Sequence, residues 1–108
     1  MKSMKMDFVR EIADCVLMCN HCFDACLGEK DVMMMTECIK LCKECAEICN
    51  ATMLQVYSGS HFQKEVLTLC QAACEKCAAE CRKHPMDHCQ ECADTCEKCA
   101  AACRKLLS

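Results

Sequence analysis

Seventeen of the 108 residues are cysteine, and sixteen of them fall into four copies of one spacing. Cys15, Cys19, Cys22 and Cys26 step by four, three and four, as do Cys38, Cys42, Cys45 and Cys49, then Cys70, Cys74, Cys77 and Cys81, then Cys92, Cys96, Cys99 and Cys103. Cys89 stands one turn ahead of the fourth copy. A thiolate can act as a nucleophile, close a disulfide or ligate a soft metal ion. A nucleophile needs one cysteine set apart by an activating neighbour, and these are near-equivalent, so no enzymatic activity is expected. A thiol oxidoreductase is the weaker alternative. The CxxC of Cys19 and Cys22 has no βαβ pattern around it. The CxxxCxxC of Cys15, Cys19 and Cys22, a spacing also found in radical-SAM cluster enzymes, belongs there to much larger barrels and would not recur in every segment.

Disulfides fit the spacing poorly. Side chains three or four apart on a helix have Cβ atoms about 5–6 Å apart, whereas a disulfide needs about 3.5–4.5 Å. The odd count also argues against a purely structural disulfide framework. Metal fits better, because two metal–sulfur bonds of about 2.3 Å let one ion span about 4.5 Å between neighbouring sulfurs. Thiolates select Cu(I), Zn(II) or iron–sulfur clusters. Structural zinc gathers four ligands at one point, commonly from a loop, whereas these sulfurs form continuous tracks. Cu(I) accepts two or three sulfurs and shares them, so a track could hold up to about one ion per cysteine. The expected cargo is therefore several Cu(I) ions per chain, with a zinc or mixed-metal thiolate buffer as the alternative.

Alternating steps of three and four are the a and d positions of a heptad, one stripe on one helix face. Gly28, Gly59 and Pro85 divide the chain into four segments of helix length. Gly28 and Gly59 suit the left-handed position past a helix end. Asp31 and Asp87 are expected to cap the second and fourth helices, and Ser60 with Gln63 to form a capping box for the third. On the fourth segment Glu91, Asp94, Glu97, Lys98, Arg104 and Lys105 fall away from the stripe, while Ala93, Ala100 and Ala102 flank it. Short connections make successive helices antiparallel. The fold class is all-α, an antiparallel up-down four-helix bundle with a cysteine-lined core, in a single copper-binding domain spanning 1–108. Cysteine is small, so such a core should leave volume for something other than side chains.

An antiparallel bundle separates two ends. Phe8, Ile12, Val56, Leu67 and Leu106, with Met53, Phe62 and Val66 nearby, are expected to plug one. The other gathers Cys26, Cys38, Cys81 and Cys89 beneath loops bearing Met33, Met34, Met35, His84, Met86 and His88. Thioether and imidazole also ligate Cu(I), so Met35, His84, Met86 and His88 join the seventeen cysteines as candidate ligands at a port. His21 lies off the stripe and reads as a surface residue, and His61 as structural.

Sixteen acidic against thirteen basic residues give a formal charge of −3 without any block of one sign, which argues against nucleic acid, whose binders ask for a basic stripe, though an acidic surface is also the default of a soluble protein. The opening MKSMKMDFVREIADC lacks the apolar run of a secretory signal, and no stretch approaches the ~18 apolar residues of a membrane span. A cytoplasmic location follows as the expectation, where structural disulfides are rare.

The stretches CNHCFDAC (Cys19 to Cys26), CIKLCKECAEIC (Cys38 to Cys49) and HPMDHCQECADTCEKCAAAC (His84 to Cys103) resemble the cytosolic copper storage proteins, over nearly the whole chain. The resemblance implies a homotetramer of bundles, each holding many Cu(I) ions through its cysteines. Donor or acceptor proteins for the copper are not identified by it.

Overall fold

The computed structural model describes residues 2–108, with side chains from Lys5 onward. Met1, where the expected domain begins, and the Lys2 side chain lie outside this range. Four helices account for most of it: α1 (Lys2–Leu27), α2 (Thr36–Ser58), α3 (Gln63–Cys81) and α4 (Asp87–Leu107), with one short 3-10 turn, Val32–Met35, leading into α2. Helix α1 packs on α2 and α4, and α3 on the same two, so the helices form a closed ring about a long axis. The molecule measures 45 × 19 × 18 Å.

The helix ends follow local chemistry, though not always the expected residue. Gly59 takes the left-handed conformation, φ 70°. Its N–H bonds the Val56 carbonyl while the Ser60 N–H bonds Gln55, the paired closure typical of glycine at this position. Gly28 does not do this, because no other residue described has positive φ. There α1 ends in successive tight turns, Gly28 N–H to Ala25 O and Glu29 N–H to Cys26 O, both 3.1 Å. Asp31 does not cap α2. It precedes the 3-10 turn, makes no side-chain cap bond, and accepts the Met34 N–H through its main-chain carbonyl. The capping box at Ser60 is likewise absent. The Ser60 hydroxyl accepts the Phe62 N–H at 3.0 Å, a local turn that places Gln63 as the first helical residue. Asp87 lies one position inside α4, behind Met86, where its carboxylate still faces the positive end of the helix dipole.

All seventeen cysteines are buried, none more than 1% exposed. Ala46, Ala78, Ala93 and Ala100 are buried beside them, with Ala102 half-buried. These small flanking side chains let the backbones approach until sulfurs of facing helices touch, 3.6 Å apart for Cys19 and Cys96 and for Cys49 and Cys74. Charged residues of α4 stay outside and tie it to α3. Arg82 bonds Asp94, Glu97 and Gln90, and Arg104 bonds Glu75 at 2.7 Å.

The plugged end is built much as expected, with Phe8, Ile12, Val56 and Leu67 buried and Leu106, Met53 and Val66 half-buried. Phe62 is not part of it. It stands before the first turn of α3 with φ −106° and is 63% exposed. Thr52, unremarked in the sequence, is buried there instead. Its hydroxyl bonds the Ile48 carbonyl at 2.7 Å and lies 3.3 Å from that of Val66.

Candidate metal centre

Each helix contributes its stripe because a step of three or four residues returns the side chain to one face. The four stripes meet at the axis. Cys49 on α2 reaches Cys15 on α1 at 3.8 Å and Cys70 and Cys74 on α3 at 3.7 and 3.6 Å. Cys15 contacts Cys74 diagonally at 4.0 Å and Cys96 on α4 at 3.9 Å. Nearer the other end, Cys38 contacts Cys26 at 3.8 Å and Cys81 at 3.7 Å. All the thiols are free, so the interior is one continuous tube of sulfur.

These separations are shorter than the about 4.5 Å that a two-coordinate ion spans. A three-coordinate ion with bonds of about 2.3 Å needs sulfurs about 4.0 Å apart, close to what the tube offers. The sulfurs also group in fours, each set lying within 4.8 Å: Cys15, Cys49, Cys74 and Cys99; Cys15, Cys19, Cys45 and Cys96; Cys19, Cys77, Cys92 and Cys96; Cys22, Cys42, Cys81 and Cys92; and, at the end away from the hydrocarbon plug, Cys22, Cys26, Cys38 and Cys89. Successive groups share members, the arrangement that bridged clusters require.

Among the described residues, Thr52 is the sole buried side chain that is polar or charged outside the cysteines. No fixed cation balances a thiolate in the tube, and the acidities reflect this. Burial, then neighbouring Cys38, pushes the Cys89 thiol up to about 11, and burial followed by Cys38 raises Cys26 as well. Deeper, hydrogen bonds between sulfurs dominate. Cys15 is held low by donation from Cys19, Cys45, Cys49 and Cys74, whereas Cys49, facing Cys15, Cys45, Cys70 and Cys74, is held high. One thiolate is sustained only while its neighbours keep their protons. A soft cation that displaces those protons supplies the missing positive charge.

The four non-cysteine candidates part company here. His88 stands at the mouth, its Nδ1 3.4 Å from Cys22 Sγ and 3.6 Å from Cys89 Sγ, and its Nε2 2.8 Å from Glu29. His84 instead bonds Glu80 at 2.9 Å, and among the described residues no thiol lies within bonding range of it. Met35 is buried at 1% exposure, and Met86 packs half-buried against the buried core. Met33 and Met34 turn outward, 79% and 70% exposed. His21 and His61 are both exposed. Glu29 escaped notice in the sequence because nothing in spacing or type ties a connector residue to a histidine 59 positions later.

The family model described as copper storage protein matches residues 1–108. The uncharacterized cysteine-rich protein YhjQ of Bacillus subtilis (strain 168) is 45% identical over 80 residues, 74% of each chain. The Cu(I)-bound copper storage protein BsCsp3 superposes with TM-score 0.93 at 40% identity, covering 97% of this chain and 99% of its own. A cytosolic copper storage protein from Streptomyces lividans, in a structure of copper loading with five coppers, gives TM-score 0.94 at 32% identity over 97% of this chain and 92% of that one.

Proposed function

Because this chain belongs to the copper storage protein family, we propose that its tube holds many Cu(I) ions as bridged thiolate clusters and that storage, without catalysis, is its activity. The observation that carries the proposal is the contact between sulfurs of different helices, 3.6 Å for Cys19 and Cys96 and 3.6 Å for Cys49 and Cys74. Bridging sulfurs at such separations bring about one positive ion per thiolate. That is the ratio at which an interior without fixed cations becomes neutral. All seventeen cysteines serve as ligands in this reading, within one copper-binding domain over 1–108.

The open end is the port. His88 supplies an imidazole beside the first sulfurs, and Met35 and Met86 provide thioethers around them, weaker ligands from which an ion passes on to thiolate. The other end stays shut by Phe8, Ile12, Val56 and Leu67. A cytoplasmic homotetramer agrees with the family resemblance. Leu17, Leu54 and Leu69, exposed on three different helices, offer apolar surface to neighbouring copies. No described helix is long and apolar enough to cross a membrane.

Anaerobic titration with Cu(I) against a chelator of known strength tests the store directly. The expected plateau is about one ion per cysteine. A plateau at one or two ions per chain would rule storage out.

A further inference from the structure

We propose that the mouth of the tube is also a site for a single divalent thiophilic ion of the zinc class, which controls access of Cu(I) to the sulfurs behind it. The inference rests on the reading of the tube as a thiolate store with one open end. It starts from the donors grouped there: Cys22, Cys26, Cys38 and Cys89, whose sulfurs lie within 4.8 Å of one another, and the Nδ1 of His88. Glu29 accepts the hydrogen bond of Nε2, which turns the Nδ1 lone pair toward Cys22 and Cys89. A carboxylate holding the far nitrogen of a ligating histidine is the usual support of a zinc site.

The sizes agree. With metal–sulfur bonds of about 2.3 Å and metal–nitrogen bonds of about 2.05 Å, a tetrahedral ion needs sulfurs about 3.8 Å apart and nitrogen about 3.6 Å from sulfur. Nδ1 lies 3.4 Å from Cys22 and 3.6 Å from Cys89, while Cys26 lies 3.9 Å from Cys22 and 3.8 Å from Cys38. Each of these four distances lies within about 0.2 Å of a tetrahedral edge, and the four sulfurs lie within 4.8 Å of one another, so a small adjustment closes three sulfurs and the nitrogen around one ion.

Charge then restricts the divalent ion to this position. Four thiolates around a divalent ion leave a net charge of −2, and deeper in the tube every donor is sulfur, with no buried cation to offset it. Removing such a charge from water is costly. At the mouth a neutral imidazole replaces one thiolate and halves the excess. The His88 side chain keeps 14% exposure, so solvent shares the remainder. Zinc binds such mixed sulfur and nitrogen sets, whereas Cu(I) balances thiolates one for one throughout the tube. An ion held here lies across the path between the exterior and Cys42, Cys81 and Cys92, which adjoin Cys22.

The test titrates Zn(II) into the metal-free full-length protein under argon, against a chelator, with Co(II) as the spectroscopic probe. The expected result is one tightly held ion per chain, and for Co(II) the visible absorption of a tetrahedral thiolate site. Glu29→Gln should weaken zinc about 10-fold and His88→Ala about 100-fold, with far-ultraviolet circular dichroism matching the unmodified protein to show that both variants fold. Prior zinc should delay Cu(I) uptake without reducing its plateau. Failure to retain zinc at full Cu(I) capacity overturns the site alone. So does zinc spread over several ions per chain with no response to Glu29→Gln. Loss of Cu(I) capacity in the unmodified protein overturns the store, and the mouth site with it.

Discussion

The two ends of the bundle carry the same helices and opposite chemistry. At one, Phe8, Ile12, Val56 and Leu67 close over the last sulfurs, and the buried hydroxyl of Thr52 is absorbed by main-chain carbonyls. At the other, the connector after α1 brings Glu29 to His88 in the first turn of α4, and His88 lies against Cys22 and Cys89. The hydrocarbon end stabilises the chain and offers no ligand. The other end presents thiol and imidazole groups to one another in place of hydrocarbon. Separating stability from reactivity in this way allows the interior to be almost wholly thiol, because the sulfurs need not hold the metal-free bundle together alone.

Substitutions at the two ends should therefore affect different measurements. The largest effect is expected for Phe8→Ala, which removes a buried aromatic ring and should lower metal-free stability by about 3–5 kcal/mol in denaturant titration. Cu(I) capacity of the folded variant should not change. Equal losses of stability from Phe8→Ala and His88→Ala would erase the distinction between the ends. His88→Ala should slow Cu(I) loading about 10-fold in stopped-flow measurements, with the final plateau unaltered.

Alkali provides a third contrast, between empty and filled tube. The Cys89 thiol is raised from its ordinary 9.0 to about 11 by burial and by Cys38. A raised folded value means that the folded state holds the proton more tightly. The stabilisation is complete below pH 9.0 and is lost as pH climbs through about 11. Thermal melts of the metal-free protein should fall across that interval, and those of the Cu(I)-loaded protein should not, since its thiols have already exchanged protons for metal. The smallest effect is expected from His84→Ala. His84 is engaged by Glu80 and not by a thiol, so loading should slow less than twofold, a marginal change of about 0.4 kcal/mol in barrier. A delay matching that of His88→Ala would place His84 on the path.

The stripes could be read before any coordinates because they are a matter of period. Steps of four, three and four place Cys15, Cys19, Cys22 and Cys26 on one helical face whatever surrounds them, and four such faces bury only against one another. The division at Gly59 was equally plain, since its left-handed turn suits glycine. Caps were less legible: Asp31, Ser60 and Asp87 each have the right chemistry one or more positions from where it would act, and helix starts shift by a residue at little energetic cost. Phe62 misled for the same reason. It has the hydrophobicity of the plug but stands before the helix that would have turned it inward.

Local periodicity and residue type alone determined four amphipathic helices, a sulfur face on each and the choice of soft metal chemistry, because these depend on interactions a few residues apart. Only the tertiary structure decided the separation of the sulfurs, 3.6 to 4.0 Å, and which histidine meets them. Those quantities depend on how closely Ala46, Ala78, Ala93 and Ala100 let the helices approach, and on how two connectors far apart in the chain come to rest beside each other. Packing, a sum over the whole bundle, sets both.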